Sequence, residues 1–524
     1  MQLRESRYSI HLVTRLLYLV LIVSVMLEVV FFPSLANFFG CAMMAICCIS
    51  FAKIIEHINY IITAPFSFFM LCSMFLFHYL PVPATLISFR PVSYGMAFPI
   101  ETFILETLMF LLGCLAFLIT AQYSNRTGVL KKLLGGLGFY KPFSDRVIWV
   151  LGFFGLAVRI VSLARGTAST GDIIGKMMNV LFYYMYTPVI LFFPGLYCDN
   201  CQKPIDFKKG RVWLYLLIAT IASLATNSRN KIIAPFCIMV LLGVLTILKC
   251  NVSIKEKLTP KKIVVTMLIV VALMSSFDAI SEAMLLNRSI RENLSFTQLL
   301  SATVKTVFSA DRDQQWEIYL QDWDGSAGEY SLGWTEEYVK NTWLNRFCNI
   351  RITDETLYLG KHLTNEGHSR MLKDFGNRIL AVLPQPVLDV FAPTFNKELY
   401  YNARGDALYI YAGIGGSTNW GEFRVTSNLG DGIATFGFLY FPLQFVSWIV
   451  MMLFLNTFSR SVGGKIHYSL YGLLASYTSM MKFVNGNGML DDILYFVRGY
   501  WQEVILFVCL FTVARTVSRF RIIR

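Results

Sequence analysis

The sequence predicts an all-α polytopic membrane protein, and three observations carry that prediction. Of 524 residues, 55% are hydrophobic and 15% are charged. Mean hydropathy is +0.54, too apolar for a soluble chain to bury. The apolar residues also gather into runs of membrane-crossing length. A hydrocarbon core of about 30 Å takes roughly 20 apolar residues per helix. About twelve runs qualify: 16–34, 36–53, 60–80, 97–122, 146–164, 178–198, 212–227, 230–249, 262–280, 434–457, 467–484 and 492–514. Only the polar stretch around Asn227, Ser228 and Arg229 divides the seventh from the eighth.

Arg4, Arg7 and Arg15 flank the first run, which is too long and too charged in its flank for a cleaved signal peptide. It is expected to be retained. Alternate short loops are then basic. Loop 123–146 holds Arg126, Lys131, Lys132, Lys141 and Arg146, and loop 199–211 holds Lys203, Lys208, Lys209 and Arg211. Loop 249–262 holds Lys249, Lys255, Lys257, Lys261 and Lys262, and the tail holds Arg515, Arg519, Arg521 and Arg524. The positive-inside rule therefore predicts both termini in the cytoplasm. The net charge of +13 is mostly this bias and does not point to nucleic acid.

The layout is asymmetric. Residues 1–280 hold about nine spans, 281–433 form one large outer segment, and 434–524 hold about three spans. The outer segment is mildly acidic, with about 19 acids against 14 bases. It carries Trp316, Trp323, Trp334, Trp343 and Trp420. Stretches 296–320 and 369–383 have apolar residues at helical spacing, and Pro384 and Pro386 are expected to end the second. It reads as a folded helical cap, and so long a loop is usually functional. No internal repeat is evident, which weighs against a transporter built from inverted halves.

Eight of eleven cysteines lie in or beside predicted spans. Cys198 and Cys201 form an isolated CxxC, a weak metal or redox signal without a second pair or a nearby histidine. Only Cys348 lies in the cap, so no disulfide is expected within it. No His, Asp or Cys cluster has metal-ligand spacing, so neither a metal nor another cofactor is expected.

Charges inside apolar runs are costly and are normally paired or turned to a cavity. Arg159, Glu101, Glu106, Arg498 and Glu503 are in this position. Arg165 follows the fifth run, Arg229 lies between the seventh and eighth, and Arg404 and Arg424 lie in the stretch before the tenth, all expected near the outer membrane plane. Converging arginines there would suit a lipid diphosphate, because guanidinium grips phosphate oxygens two at a time. Arg229 opens a helix, where backbone N–H groups also favour an anion. Each arginine alone is equally compatible with snorkelling to headgroups.

The stretch "RGDALYIYAGIGGSTNWGEFRVTSNLGDGIATFG", residues 404–437, mixes glycines, aromatics and charge at the mouth of an apolar run. Its glycine spacing does not fit a phosphate-binding turn. Irregular backbone at membrane depth is tolerated where it lines a cavity or is buried in protein. The Arg-Gly-Asp at 404–406 reads as chance.

Here the residues resemble a family. "SNLGDGIATFGFLY" is similar to the segment after the large periplasmic loop of Wzy-type O-antigen and capsule polymerases, with Gly430, Asp431, Phe436 and Gly437 at the matching places. Ser228 and Arg229 look like that family's Ser-Arg at the outer start of a central helix. Arg404 with Gly415 resembles its Arg-x10-Gly pattern. The partner pattern is missing, since Arg165 reaches Gly175 after only nine residues. The resemblance implies a GT-C-like glycosyltransferase of the bacterial inner membrane. Its donor and acceptor would be undecaprenyl-diphosphate-linked oligosaccharides, joined on the periplasmic face, with a chain-length regulator as partner. It implies Asp431, then Glu422 and His368, as possible bases, and Arg229, Arg165, Arg404 and Arg424 as diphosphate ligands. A related O-antigen ligase, with His362 or His368 as its histidine, and a lipid-linked oligosaccharide flippase are the alternatives.

Overall fold

The computed structural model describes residues 4–165, 173–198, 201–224, 229–253, 275–276, 278–287, 296–323, 330, 337–400, 402–414, 420–421, 424–484 and 488–519. Among these the chain is helical, apart from one antiparallel hairpin, Ser459–Val462 with Lys465–Tyr468. Among the described residues seven helices are long and apolar enough to cross a membrane, and eight if the bent pair Pro65–Tyr79 and Pro81–Ile87 is one span. This is an all-α polytopic membrane protein.

Several expected spans are broken, for identifiable reasons. The run at 60–80 divides into Ile58–Thr63, Pro65–Tyr79 and Pro81–Ile87, with a 49° bend between the last two. Pro65 and Pro81 each begin a new helix, where a missing N–H costs nothing. The run at 178–198 passes from the helix Ile173–Leu181 into a tighter 3₁₀ coil, Phe182–Phe192, around Pro188. In this coil Pro188 leaves the Met185 carbonyl without an N–H, and the Tyr215 hydroxyl donates there at 2.9 Å. The run at 467–484 starts in the hairpin and continues as Leu470–Leu474 and Ser476–Val484. Of the expected span 262–280, residues 262–274 and 277 lie outside the described residues.

Close helix contacts explain some small residues. The helix Asp145–Arg165 lies so near the Phe182–Phe192 coil that a Cβ on Gly155 would come within 2.1 Å of the Met185 nitrogen. Tyr215 spans the same contact, its hydroxyl donating to Gly152 O at 2.6 Å and Met185 O at 2.9 Å.

The cap is helical and bolted to the bundle. Its helices include Phe296–Val307, Arg312–Trp323, Arg351–Lys361, Asn365–Leu380, Gln385–Phe391 and Arg404–Ala412. The expected helix at 369–383 starts earlier, because Thr364 caps it by accepting the Gly367 N–H at 3.1 Å. Pro384 and Pro386 end it and then open the next helix. Asp354 accepts from Ala97 N, Phe98 N, Thr102 Oγ1 and Tyr330 Oη at 2.5–2.9 Å. It thereby holds the head of the helix Pro99–Tyr123. Burial pushes its carboxyl above the usual range, and these four donors offset part of the effect. Deeper down, Glu106 joins His78 Nε2 at 2.9 Å and Thr353 Oγ1 at 2.6 Å. The boundary expected at 433 falls inside the helix Asn428–Phe436, which leads through a short turn into Tyr440–Leu455.

Candidate functional site: a charged cavity between cap and bundle

The helix Asn428–Phe436 is where cap meets bundle, and its composition follows from that position. Ser427 caps it, accepting from Gly430 N at 2.8 Å. A Cβ on Gly430 would lie 2.5 Å from Thr356 of the cap, and one on Gly432 would lie 2.2 Å from the Tyr440 ring. Two neighbours press on the helix from opposite sides, so it needs glycine on both. Gly437, at φ +59°, turns the chain toward the next helix.

Asp431 projects from this helix into a closed network. Arg404 Nε lies 2.8 and 3.0 Å from its two oxygens. Arg404 also donates from Nη1 to Asp374 at 2.9 Å and from Nη2 to Thr435 at 2.6 Å. Asp374 is shared with Arg378 Nε at 2.7 Å, and Arg378 continues to Asn402. Arg404 is 1% exposed and Asp431 3%. Two residues named for different roles, base and diphosphate ligand, are thus each other's ion-pair partners. Arg424 stands apart. Its guanidinium lies 4.3 Å over the Tyr409 ring and 3.4 Å from Asp406, whose carboxylate also takes the Arg424 N–H. The Arg-Gly-Asp tripeptide is entirely buried.

His368 is exposed, with Nδ1 2.9 Å from the Ala434 carbonyl. A carbonyl only accepts, so Nδ1 carries the proton, and in the neutral ring Nε2 is left as an acceptor. Glu422 lies outside the described residues, as does Trp334. Arg165 ends the helix Asp145–Arg165 and Arg229 begins the helix Arg229–Lys249; their side chains are not described. Trp420 is on the surface, at 46% exposure.

Immediately after Arg229, Asn230 and Lys231 line a cavity of about 760 Å³. Its other walls come from Phe182 and Tyr183, from Tyr477–Lys482, from Asp491–Glu503 and, on the cap, from Val382. Lys231, Lys482 and Arg498 face it with Asp491, Asp492 and Glu503, three charges of each sign. Met451, about three turns along its helix from Tyr440, also lines it, so the space reaches into the bundle. Of the charges singled out in the sequence, Arg498 and Glu503 belong to this cavity, and Glu503 also takes the Tyr471 hydroxyl at 2.7 Å. Arg159, 2% exposed, packs 4.9 Å from the Phe182 ring behind one wall. Glu101 pairs with Lys361 at the cap edge instead. No group of acids, histidines and cysteines among the described residues could hold a metal ion.

Sequence reasoning passed over Lys482, Asp492, Gln444, Ser447 and the pair Asp374–Arg378. A signal existed for part of this set. Tyr440, Gln444 and Ser447 stand at i, i+4 and i+7 in an apolar run, a polar stripe on one helix face. Set against family models, curated proteins and solved structures, the chain gives no match.

Proposed function

We propose that the chain is a membrane-embedded glycosyltransferase that polymerises undecaprenyl-diphosphate-linked oligosaccharide repeats. The reaction would run on the periplasmic face of the bacterial inner membrane, with both termini cytoplasmic. The observation that carries the reading is the charged cavity in the bundle, which the cap borders at Val382. It is roomy, carries both signs of charge, reaches into the apolar bundle, and lies against the head of the Arg229 helix. A lipid-diphosphate sugar needs all four features. Its prenyl chain stays among apolar helices, and its diphosphate meets cations and helix N–H groups. Its sugar lies under the cap, and a hydroxyl of the second repeat reaches a base. In this reading Lys231, Lys482 and Arg498 join Arg229 around the diphosphate. The Arg404–Asp431 network holds the cap helices over it, an orientation that a bimolecular reaction requires.

The O-antigen ligase reading has one observation in its favour, the exposed His368 with its acceptor nitrogen beside the Asp431 helix. The experiment that separates the readings is a strain lacking this gene, its surface polysaccharide run on a gel beside the complemented strain. Single repeats on lipid A-core, restored to a ladder by the gene, support the polymerase. Long polymer left on undecaprenyl diphosphate supports the ligase, and single repeats held in the cytoplasmic leaflet support a flippase. Within the polymerase reading, Arg229→Ala abolishes the ladder and Arg229→Lys restores little of it, because a lysine cannot grip two phosphate oxygens at once.

A further inference from the structure

Asp492 sits in the cavity wall, 4% exposed, at the start of the last long helix. One of its oxygens, Oδ2, takes both hydrogen bonds that hold it, from Gln444 Nε2 at 2.8 Å and from Ser447 Oγ at 2.7 Å. The other, Oδ1, has no hydrogen-bond partner among the described residues. Gln444 cannot turn over without loss. Its Nε2 serves Asp492, so its Oε1 accepts the Tyr440 hydroxyl at 2.7 Å. The Tyr440 hydroxyl also contacts Asn428 Oδ1, so its one proton is shared between two amide oxygens. The chain Asn428–Tyr440–Gln444–Asp492 therefore runs from the helix Asn428–Phe436 to the cavity wall. Gly488 makes room for it: its φ is +59°, and a Cβ there would lie 2.4 Å from the Tyr440 hydroxyl.

Asp431 is placed differently. Both of its oxygens lie on Arg404 inside a closed network, so neither is offered to the cavity.

We infer that Asp492, oriented by Gln444 and Ser447, is the carboxylate that accepts the proton of the attacking sugar hydroxyl. The inference rests on the polymerase reading above. As the acceptor oxygen bonds to the anomeric carbon of the donor sugar, its proton passes to Oδ1 of Asp492. The bond from that carbon to the phosphate oxygen breaks, and its electron pair leaves with the lipid diphosphate. Asp492 then releases the proton to water. Lys482, on the same cavity wall with its Nζ 3.4 Å from the Tyr495 ring centre, keeps positive charge beside the site. The titratable groups around Asp492 are Asp491 beside it, Lys482 from the preceding helix and Tyr440 behind Gln444.

The test uses purified full-length protein, with lipid-linked repeat extracted from the deletion strain as substrate and undecaprenyl diphosphate as the binding probe. Asp492→Asn is expected to lower turnover about 100-fold or more, the contribution of a positioned base. It should leave the affinity for undecaprenyl diphosphate within about twofold of wild type. Ser447→Ala removes a donor to Oδ2, makes the carboxylate more basic, and shifts the acid limb of the rate profile to higher pH. This second variant decides the matter if Asp492→Asn does not accumulate. Full turnover by Asp492→Asn overturns the assignment, as does parallel loss of turnover and probe binding. So does an unmoved acid limb in Ser447→Ala, or loss of turnover in His368→Ala alone. If the wild-type protein itself makes no polymer from the repeat, the polymerase reading fails, and it fails separately from this one.

Discussion

Removing Arg404 should loosen the cap before it affects any chemistry. In Arg404→Met the long side chain is kept and the charge is lost. Asp431 then loses its ion-pair partner among the described residues, while Asp374 keeps Arg378 Nε at 2.7 Å. Asp431 is 3% exposed, so its charge is stranded away from water. Breaking a buried pair by deleting one partner costs about 3–5 kcal/mol, most of it the price of the charge left behind. Removing both charges, as Arg404→Met with Asp431→Leu, strands none and should recover about half of that loss or more. Limited proteolysis of the detergent-purified protein measures the opening. When closing is fast, cleavage follows the open population, so 3–5 kcal/mol raises the cleavage rate about 10²–10⁴-fold. Intact mass then shows whether the first cuts fall at exposed cap residues such as Arg370. The reasoning is refuted if Arg404→Met resists protease like the wild type, or if the double variant is no better than the single one. A resistant Arg404→Met that has nonetheless lost polymer would give Arg404 a direct role at the diphosphate.

Three further outcomes follow from the packing. Gly432→Ala puts a methyl group 2.2 Å from a buried ring, so it should lower stability by about 1–3 kcal/mol and lower the thermal midpoint. Lys131 donates to the Ser124 carbonyl in a buried site near Arg460, and burial lowers its pKa to about 8. A lysine lowered in the folded state destabilises the fold below that pKa, and the penalty fades as pH rises from about 8 toward 10.5. Lys131→Met should therefore raise the thermal midpoint at pH 7 and have a much smaller effect near pH 10. Finally, Cys201 is joined to Cys250 across 49 residues, rather than to Cys198 in the CxxC. Both loops are basic, and in the orientation proposed above they face the cytoplasm, where thiols are kept reduced. Alkylation in intact cells should find both thiols free, and oxidation of isolated membranes should join them. A bond already formed in cells would reverse the orientation.

Much of the architecture was legible in the chain, because a membrane imposes a local rule. A run of about 20 apolar residues is a property of neighbours in sequence, and so are basic loops and a tryptophan-rich segment between runs. The seven long spans, the helical cap and the Arg229 helix start all follow from such rules. Broken spans were harder to read. Pro65, Pro81 and Pro188 were visible, but whether a proline starts a helix, bends it or tightens it depends on what satisfies the freed carbonyl.

Pairing was decided only by the tertiary structure. Arg404 and Asp431 were read for separate roles and Asp374 was passed over, and only packing brings the three within 3 Å across 27 and 30 residues. The cavity likewise draws on separate stretches around Phe182, Lys231, Lys482 and Asp492, and none of these announces the others. The sequence alone determined which residues could not face lipid, because desolvating a charge is costly wherever the chain runs. Which of those charges cancel one another and which are left facing a cavity depended on their distances, and the fold sets those distances.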